Sequence, residues 1–287
     1  MTTLTQQQDI ENTRLLARTL SRPIFMALAR GEEPQRIFKH LYDARVFTAQ
    51  RTAREIFESA YNKLRSEYRN EYIYKTAIAN KIVFGRHSPR TASISIELPV
   101  GKSIVDAAIF NGTSTAYEIK TAFDSPKRLA TQTPDYLKAF DKVYIVTHPD
   151  FARNYIEHID ERVGILTLDK NDRIRTTRAA KENKENIDTR TIFRILRREE
   201  YVSALEKKLR TKINIPNGLI SSYCEELFKK LSKGEAHRIF ISSMRNRTID
   251  EETVDFISAL PMHLRVLGYS TPLSRPQRRK VLEALSL

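Results

Sequence analysis

The stretch Ile104–Thr121, IVDAAIFNGTSTAYEIKT, sets three charged side chains, Asp106, Glu118 and Lys120, inside two otherwise apolar segments. Ser103–Phe110 and Thr115–Phe123 are rich in Ile, Val, Ala, Tyr and Phe, and Asn111-Gly112 between them is a strong hairpin signal. Two antiparallel strands are expected. Side chains repeat every second residue along a strand, so Glu118 and Lys120 share a face, roughly 6.6 Å apart. Loop length decides whether Asp106 joins them. A two-residue turn at Asn111-Gly112 pairs Asp106 with Tyr117 and sends the carboxylates to opposite faces. A three-residue loop with Gly112 in the left-handed conformation pairs Ile109 with Thr113 and Asp106 with Ala116, which gathers all three charges. A single site therefore requires a loop of odd length.

Charge on a buried strand is costly unless it is paired, hydrogen-bonded or bound to metal. Two carboxylates would supply hard oxygen ligands for a divalent cation. The simpler arrangement is a salt bridge from Lys120 to Glu118 or Asp106.

An aspartate on one strand and Glu-x-Lys on the next resembles the active-site signature of the PD-(D/E)XK nuclease superfamily. The wider run, YRNEYIYKTAIANKIVFGRHS, SIVDAAIFNGTSTAYEIKTAFDSPKRLATQ and YLKAFDKVYIVTHP, is similar to the sce7726 family within it, from about Tyr68 to Pro149. The resemblance implies a Mg²⁺- or Mn²⁺-dependent nuclease that hydrolyses phosphodiester bonds of nucleic acid, with DNA the expected substrate. Asp106 and Glu118 would ligate the metal, joined by the Ile119 carbonyl. Lys120 would orient or help deprotonate the attacking water. By the same resemblance Glu71, on the helix before the hairpin, completes the acidic cluster, and Gln132 lies near the reaction centre with Tyr136 one turn on. Pro134 departs from an easy helix there. Glu71 has a plainer reading as a surface partner of Lys75 at i,i+4. Two non-enzymatic classes stand beside the nuclease: an inactive nuclease-fold module that binds nucleic acid, and an interaction subunit of a larger assembly.

The chain has 287 residues, enough for one large domain or two ordinary ones. Its 49 Lys and Arg against 35 Asp and Glu leave a net charge of +14, which favours a polyanionic partner. A protein partner or a second copy is a further candidate. Cys224 is the single cysteine, which excludes an intramolecular disulfide and fits a reducing cytoplasm. No stretch approaches the roughly 18 uninterrupted apolar residues of a membrane span, so a cytoplasmic protein with no membrane partner is expected.

Four regions are expected along the chain. Residues 1–65 have helical periodicity, with a restart at Ser21-Arg22-Pro23 where Ser21 would cap. Residues 66–170 read as a nuclease-like core: a helix over Glu67–Phe84, a strand over Thr91–Leu98 with Glu97 as a reserve carboxylate, then the hairpin. A turn and helix start at Asp124-Ser125-Pro126 follow, then a doubly covered strand over Lys142–Thr147, a helix over Phe151–Ile159 and a strand over Gly164–Leu168. That order implies an α/β fold, a small mixed β-sheet core flanked by helices. Residues 171–200 look like a basic linker or loop, with nine Lys and Arg against three Asp and Glu over Arg173–Arg198. Residues 201–287 read as helices, around Tyr201–Leu209, Leu219–Leu231, Ala236–Met244, Val254–Leu264 and Pro276–Leu285. Arg86, His87 and Arg90 form a small basic cluster before the first strand.

Overall fold

Asn111, Gly112 and Thr113 form a three-residue loop between β2 (Ser103–Phe110) and β3 (Ser114–Lys120), and Phe110 pairs with Ser114. Gly112 has φ of 103°, a conformation that favours glycine, and a Cβ there would meet nothing within 4 Å. Its backbone angle, not crowding, makes glycine the residue of choice. The loop has the odd length that one site needs. Its register differs by two residues from the expected one: Ala107 pairs with Tyr117, and the next step sets Asp106 beside Glu118, not Ala116. The computed structural model describes residues 2–122, 124, 128–157 and 159–286, with side chains from Gln7 onward. The expected strand end at Phe123 and the turn at Ser125-Pro126 lie outside the described residues.

The hairpin is the middle of a mixed sheet. Among the described residues six strands follow the order β1-β2-β3-β4-β5-β6, with β1 (Ser93–Val100), β4 (Lys142–Thr147), β5 (Gly164–Leu168) and β6 (Ile174–Arg178) completing it. Pairing is antiparallel through β1, β2 and β3, parallel from β3 through β4 to β5, and antiparallel again to β6. The two parallel steps each need a crossover. They contain α7 (Leu129–Leu137) and α8 (Ala152–Ile156), the latter shorter than the expected Phe151–Ile159. Lys142–Thr147 is a central strand, as its continuous apolar run implies. Parallel register places Glu118 beside Ile145 and Lys120 beside Thr147. Leu129, Tyr136 and Leu137 of α7 join Ala108, Ala116, Val143 and Ile145 in one buried cluster, so α7 covers the face that carries the charges.

The chain divides into two compact units, residues 1–80 with 251–287 and residues 81–250. The first contains α1 (Thr2–Thr19), α2 (Arg22–Arg30), α3 (Pro34–Ile37), α4 (Lys39–Asp43), α5 (Ala53–Glu67) and α6 (Glu71–Ile78). It is completed by α13 (Glu251–Ala259), which packs on α14 (Arg265–Ser270), and by α14 and α15 (Arg275–Ser286), which pack on α2, α5 and α6. Ser21 stands at the N-cap of α2 but makes no side-chain capping bond. The expected helix Glu67–Phe84 is broken at Tyr68-Arg69-Asn70 and ends in a π-helical turn, Ala79–Phe84.

The second unit holds the sheet together with α9 (Thr189–Ile195), α10 (Arg198–Leu209), α11 (Ile220–Lys229) and α12 (Lys233–Asn246), of which α9 and α12 pack on β1. These units replace the four-region division, because the helices after residue 200 separate at position 250. Residues 171–200 are not a linker: they supply β6 and α9, with Ile187, Ile192 and Phe193 buried.

In the first unit His263 is buried with its ring stacked on Tyr61 at 5.6 Å, and the Tyr72 hydroxyl donates to its carbonyl at 2.5 Å. Burial, then the charge of Arg54, depresses its pKa to about 4. An unfolded histidine takes up its proton at higher pH than this buried one, so stability is complete above about pH 6.5 and is lost as pH falls toward the folded value. Denaturant melts from near neutral pH down to about pH 4 should show a loss of order 3 kcal/mol, which His263→Gln removes.

Candidate functional site

β3 is buried at every position, including Glu118 and Lys120, which are each 2% exposed. Two charges at that depth must neutralise one another. Lys120 Nζ donates to Glu118 Oε1 at 2.7 Å and to Gln132 Oε1 of α7 at 3.2 Å. The Tyr136 hydroxyl lies 2.7 Å from Glu118 Oε2 and 2.7 Å from the Ile104 carbonyl, so its proton is shared between two acceptors. Burial, followed by the Glu118 charge, pushes that hydroxyl's pKa upward. Asp106, half-buried, accepts from the Ile119 backbone N–H at 2.6 Å through Oδ2.

Asp106, Glu118, Lys120, Ile119 and Gln132 are thus brought together, and Tyr136 joins them despite Pro134 inside α7. Glu71 belongs to the other unit, where it forms an ion pair with the buried Lys75, as its plainer reading held. Glu97 is exposed on β1, with φ of 54°, at the one interior step missing from the otherwise continuous pairing of β1 with β2.

Both Glu118 oxygens already accept protons, one from an ammonium group and one from a phenol, and an Asp106 oxygen accepts from the backbone. Mg²⁺ or Mn²⁺ here would compete with Lys120 and Tyr136 for the same carboxylate. Among the described residues no group of three or more His, Cys, Asp or Glu is placed to hold a metal ion. The arrangement locks α7 to the hairpin.

A second polar network fixes the hairpin's other end. Ser114 Oγ lies 2.7 Å from His237 Nε2 of α12 and accepts from the Asp141 N–H at 3.0 Å, while Thr113 Oγ1 donates to Asp141 Oδ2 at 2.5 Å. His237 is held below its ordinary pKa, chiefly by burial. Its distance of 123 positions from Ser114 hid this contact from sequence reading. Of the basic cluster, His87 Nε2 meets the Asn111 amide at 2.6 Å.

A family model described as Bacteriophage P4 protein cII matches residues 64–263. The chain belongs to the bacteriophage P4 protein cII family. Protein cII of Enterobacteria phage P4 is 29% identical over 170 residues, covering 54% of this chain and 58% of that protein. The match therefore spans under three-fifths of the length of its cII relative. No solved structure matches the chain.

The cII family replaces the sce7726 and PD-(D/E)XK resemblance, and the metal-dependent nuclease and hydrolase readings go with it. All of Tyr68–Pro149, on which that resemblance rested, lies inside the matched segment. The signature amounts to three residues, and in this chain Glu118 and Lys120 form a buried ion pair while Asp106 accepts from the Ile119 backbone N–H.

Breaking the pair should be costly. Lys120→Met leaves Glu118 buried without its cation, and equilibrium denaturation should show a loss of roughly 3–5 kcal/mol. Glu118→Gln combined with Lys120→Met removes both charges, keeps an acceptor for Tyr136, and should recover most of that loss.

Proposed function

We propose that this cII-family chain binds nucleic acid, DNA foremost, through the phosphate backbone and without catalysing its cleavage. The observation that carries this reading is where the positive surplus lies. Residues 81–250 hold 31 Lys and Arg against 22 Asp and Glu, so +9 of the chain's +14 belongs to the unit built on the sheet. Among the described residues of that unit, the buried Glu118 and Lys120 cancel each other and the buried Asp141 is negative, so the positive surplus belongs to side chains that reach water.

Surplus cations on a folded surface attract a polyanion by releasing its condensed counterions, a force without sequence preference. Arg173–Arg198 supports the same reading in its corrected form: an ordered strand and helix presents its charges in fixed positions. Among the described residues no helix is long and apolar enough to cross a membrane. Cytoplasmic residence follows from the proposed partner and belongs to the same proposal.

Affinity for labelled duplex DNA should fall steeply between about 50 and 200 mM salt, with log K changing by roughly −0.9 per phosphate contact against log of salt concentration. Fluorescence anisotropy titrations measure this directly. Affinity that stays level across that range would refute the proposal.

A further inference from the structure

Within the sheet-bearing unit, α10 and α12 border a groove of about 690 Å³. The helices run antiparallel: Arg247, after the end of α12, pairs with Glu200 near the start of α10 at 2.6 Å, and Lys208 near the end of α10 pairs with Glu235 in the first turn of α12. Each helix turns one stripe toward the groove. Ser203 and Lys207 lie on α10 at one helical turn's spacing, beyond Arg197 at its N-cap, while Arg238, Ser242 and Asn246 recur every four residues on α12.

The chemistry of these stripes is specific. Arg197, Lys207 and Arg238 are exposed, and none forms an ion pair among the described residues. Between them Ser203, Ser242 and Asn246 present short hydroxyl and amide groups, which leave room for a chain to lie close to the helix backbones. Two acidic groups also line the groove, the exposed Glu199 and the partly buried Glu200. Arg247 does not add to the free charge: its guanidinium is held by both Glu200 oxygens, at 2.6 and 2.7 Å, which fixes the end of the groove where the pair sits.

Resting on the function proposed above, we infer that this groove is where the phosphodiester backbone of one nucleic-acid strand lies. Cations with hydroxyl and amide donors between them are the side chains that contact phosphate oxygens in positioning contacts. Arg197 and Lys207 are ten positions apart, about 15 Å along a helix. That length exceeds the spacing of neighbouring phosphates on one strand, so the two cations can contact different phosphates of it. Such groups recognise backbone and carry no sequence information.

The test compares parent protein with Lys207→Ala/Arg238→Ala, and with Lys170→Ala/Arg173→Ala as an equal charge change outside the groove. Binding of labelled mixed-sequence DNA, duplex and single-stranded, is titrated over a series of salt concentrations. The groove variant should lower the duplex salt slope by roughly 0.9 per cation removed and weaken binding more than tenfold at low salt. The control should change the slope less, and Glu199→Gln should tighten binding several-fold. Circular dichroism melts must show each variant folded.

A parent that binds with the expected slope, alongside a groove variant identical to it, overturns the groove and leaves the nucleic-acid reading standing. A parent that binds neither DNA form overturns both. Poly-glutamate that competes as well as DNA would make the groove a site for acidic protein and overturn the backbone assignment.

Discussion

The Glu118–Lys120 pair is the constraint on which the sheet-bearing unit depends. Two formal charges at 2% exposure are tolerated only while each keeps its partners, and those partners come from three elements. β3 supplies the pair, α7 supplies Gln132 and Tyr136, and the start of β2 supplies the Ile104 carbonyl that shares the Tyr136 proton. The network therefore dictates how α7 crosses the sheet and where β2 stops sliding against β3. A one-residue slip would move Asp106 to the opposite face and break its bond to the Ile119 N–H.

Several elements were legible in the sequence because their signals are local. Asn111-Gly112 announced the hairpin, and the demand that Asp106, Glu118 and Lys120 share a face correctly required an odd loop. The apolar run Lys142–Thr147 marked a strand with neighbours on both sides. What was not legible depends on contacts between distant parts of the chain. Charge density over Arg173–Arg198 suggested a linker, yet Ile187, Ile192 and Phe193 bury enough apolar surface to order it. The return of α13–α15 to the N-terminal helices leaves no mark in the periodicity of either. Gln132 and Tyr136 were placed beside the hairpin through a resemblance to another family, and the structure puts them there as partners of a buried ion pair.

That resemblance misled because chemistry and packing can call for the same residues. Acid and lysine two apart on a buried strand suit a metal centre, and equally suit a pair that neutralises itself. Here Lys120 and Tyr136 each occupy one oxygen of Glu118.

The most direct measurement is DNA affinity of the doubly neutralised variant, Glu118→Gln with Lys120→Met, once its melt shows a folded protein. If the hairpin pair is structural and the exposed cations bind, affinity and salt slope should match those of the parent. A folded double variant that has lost DNA binding would put Glu118 and Lys120 at the binding site and contradict the division between a structural interior and a binding surface.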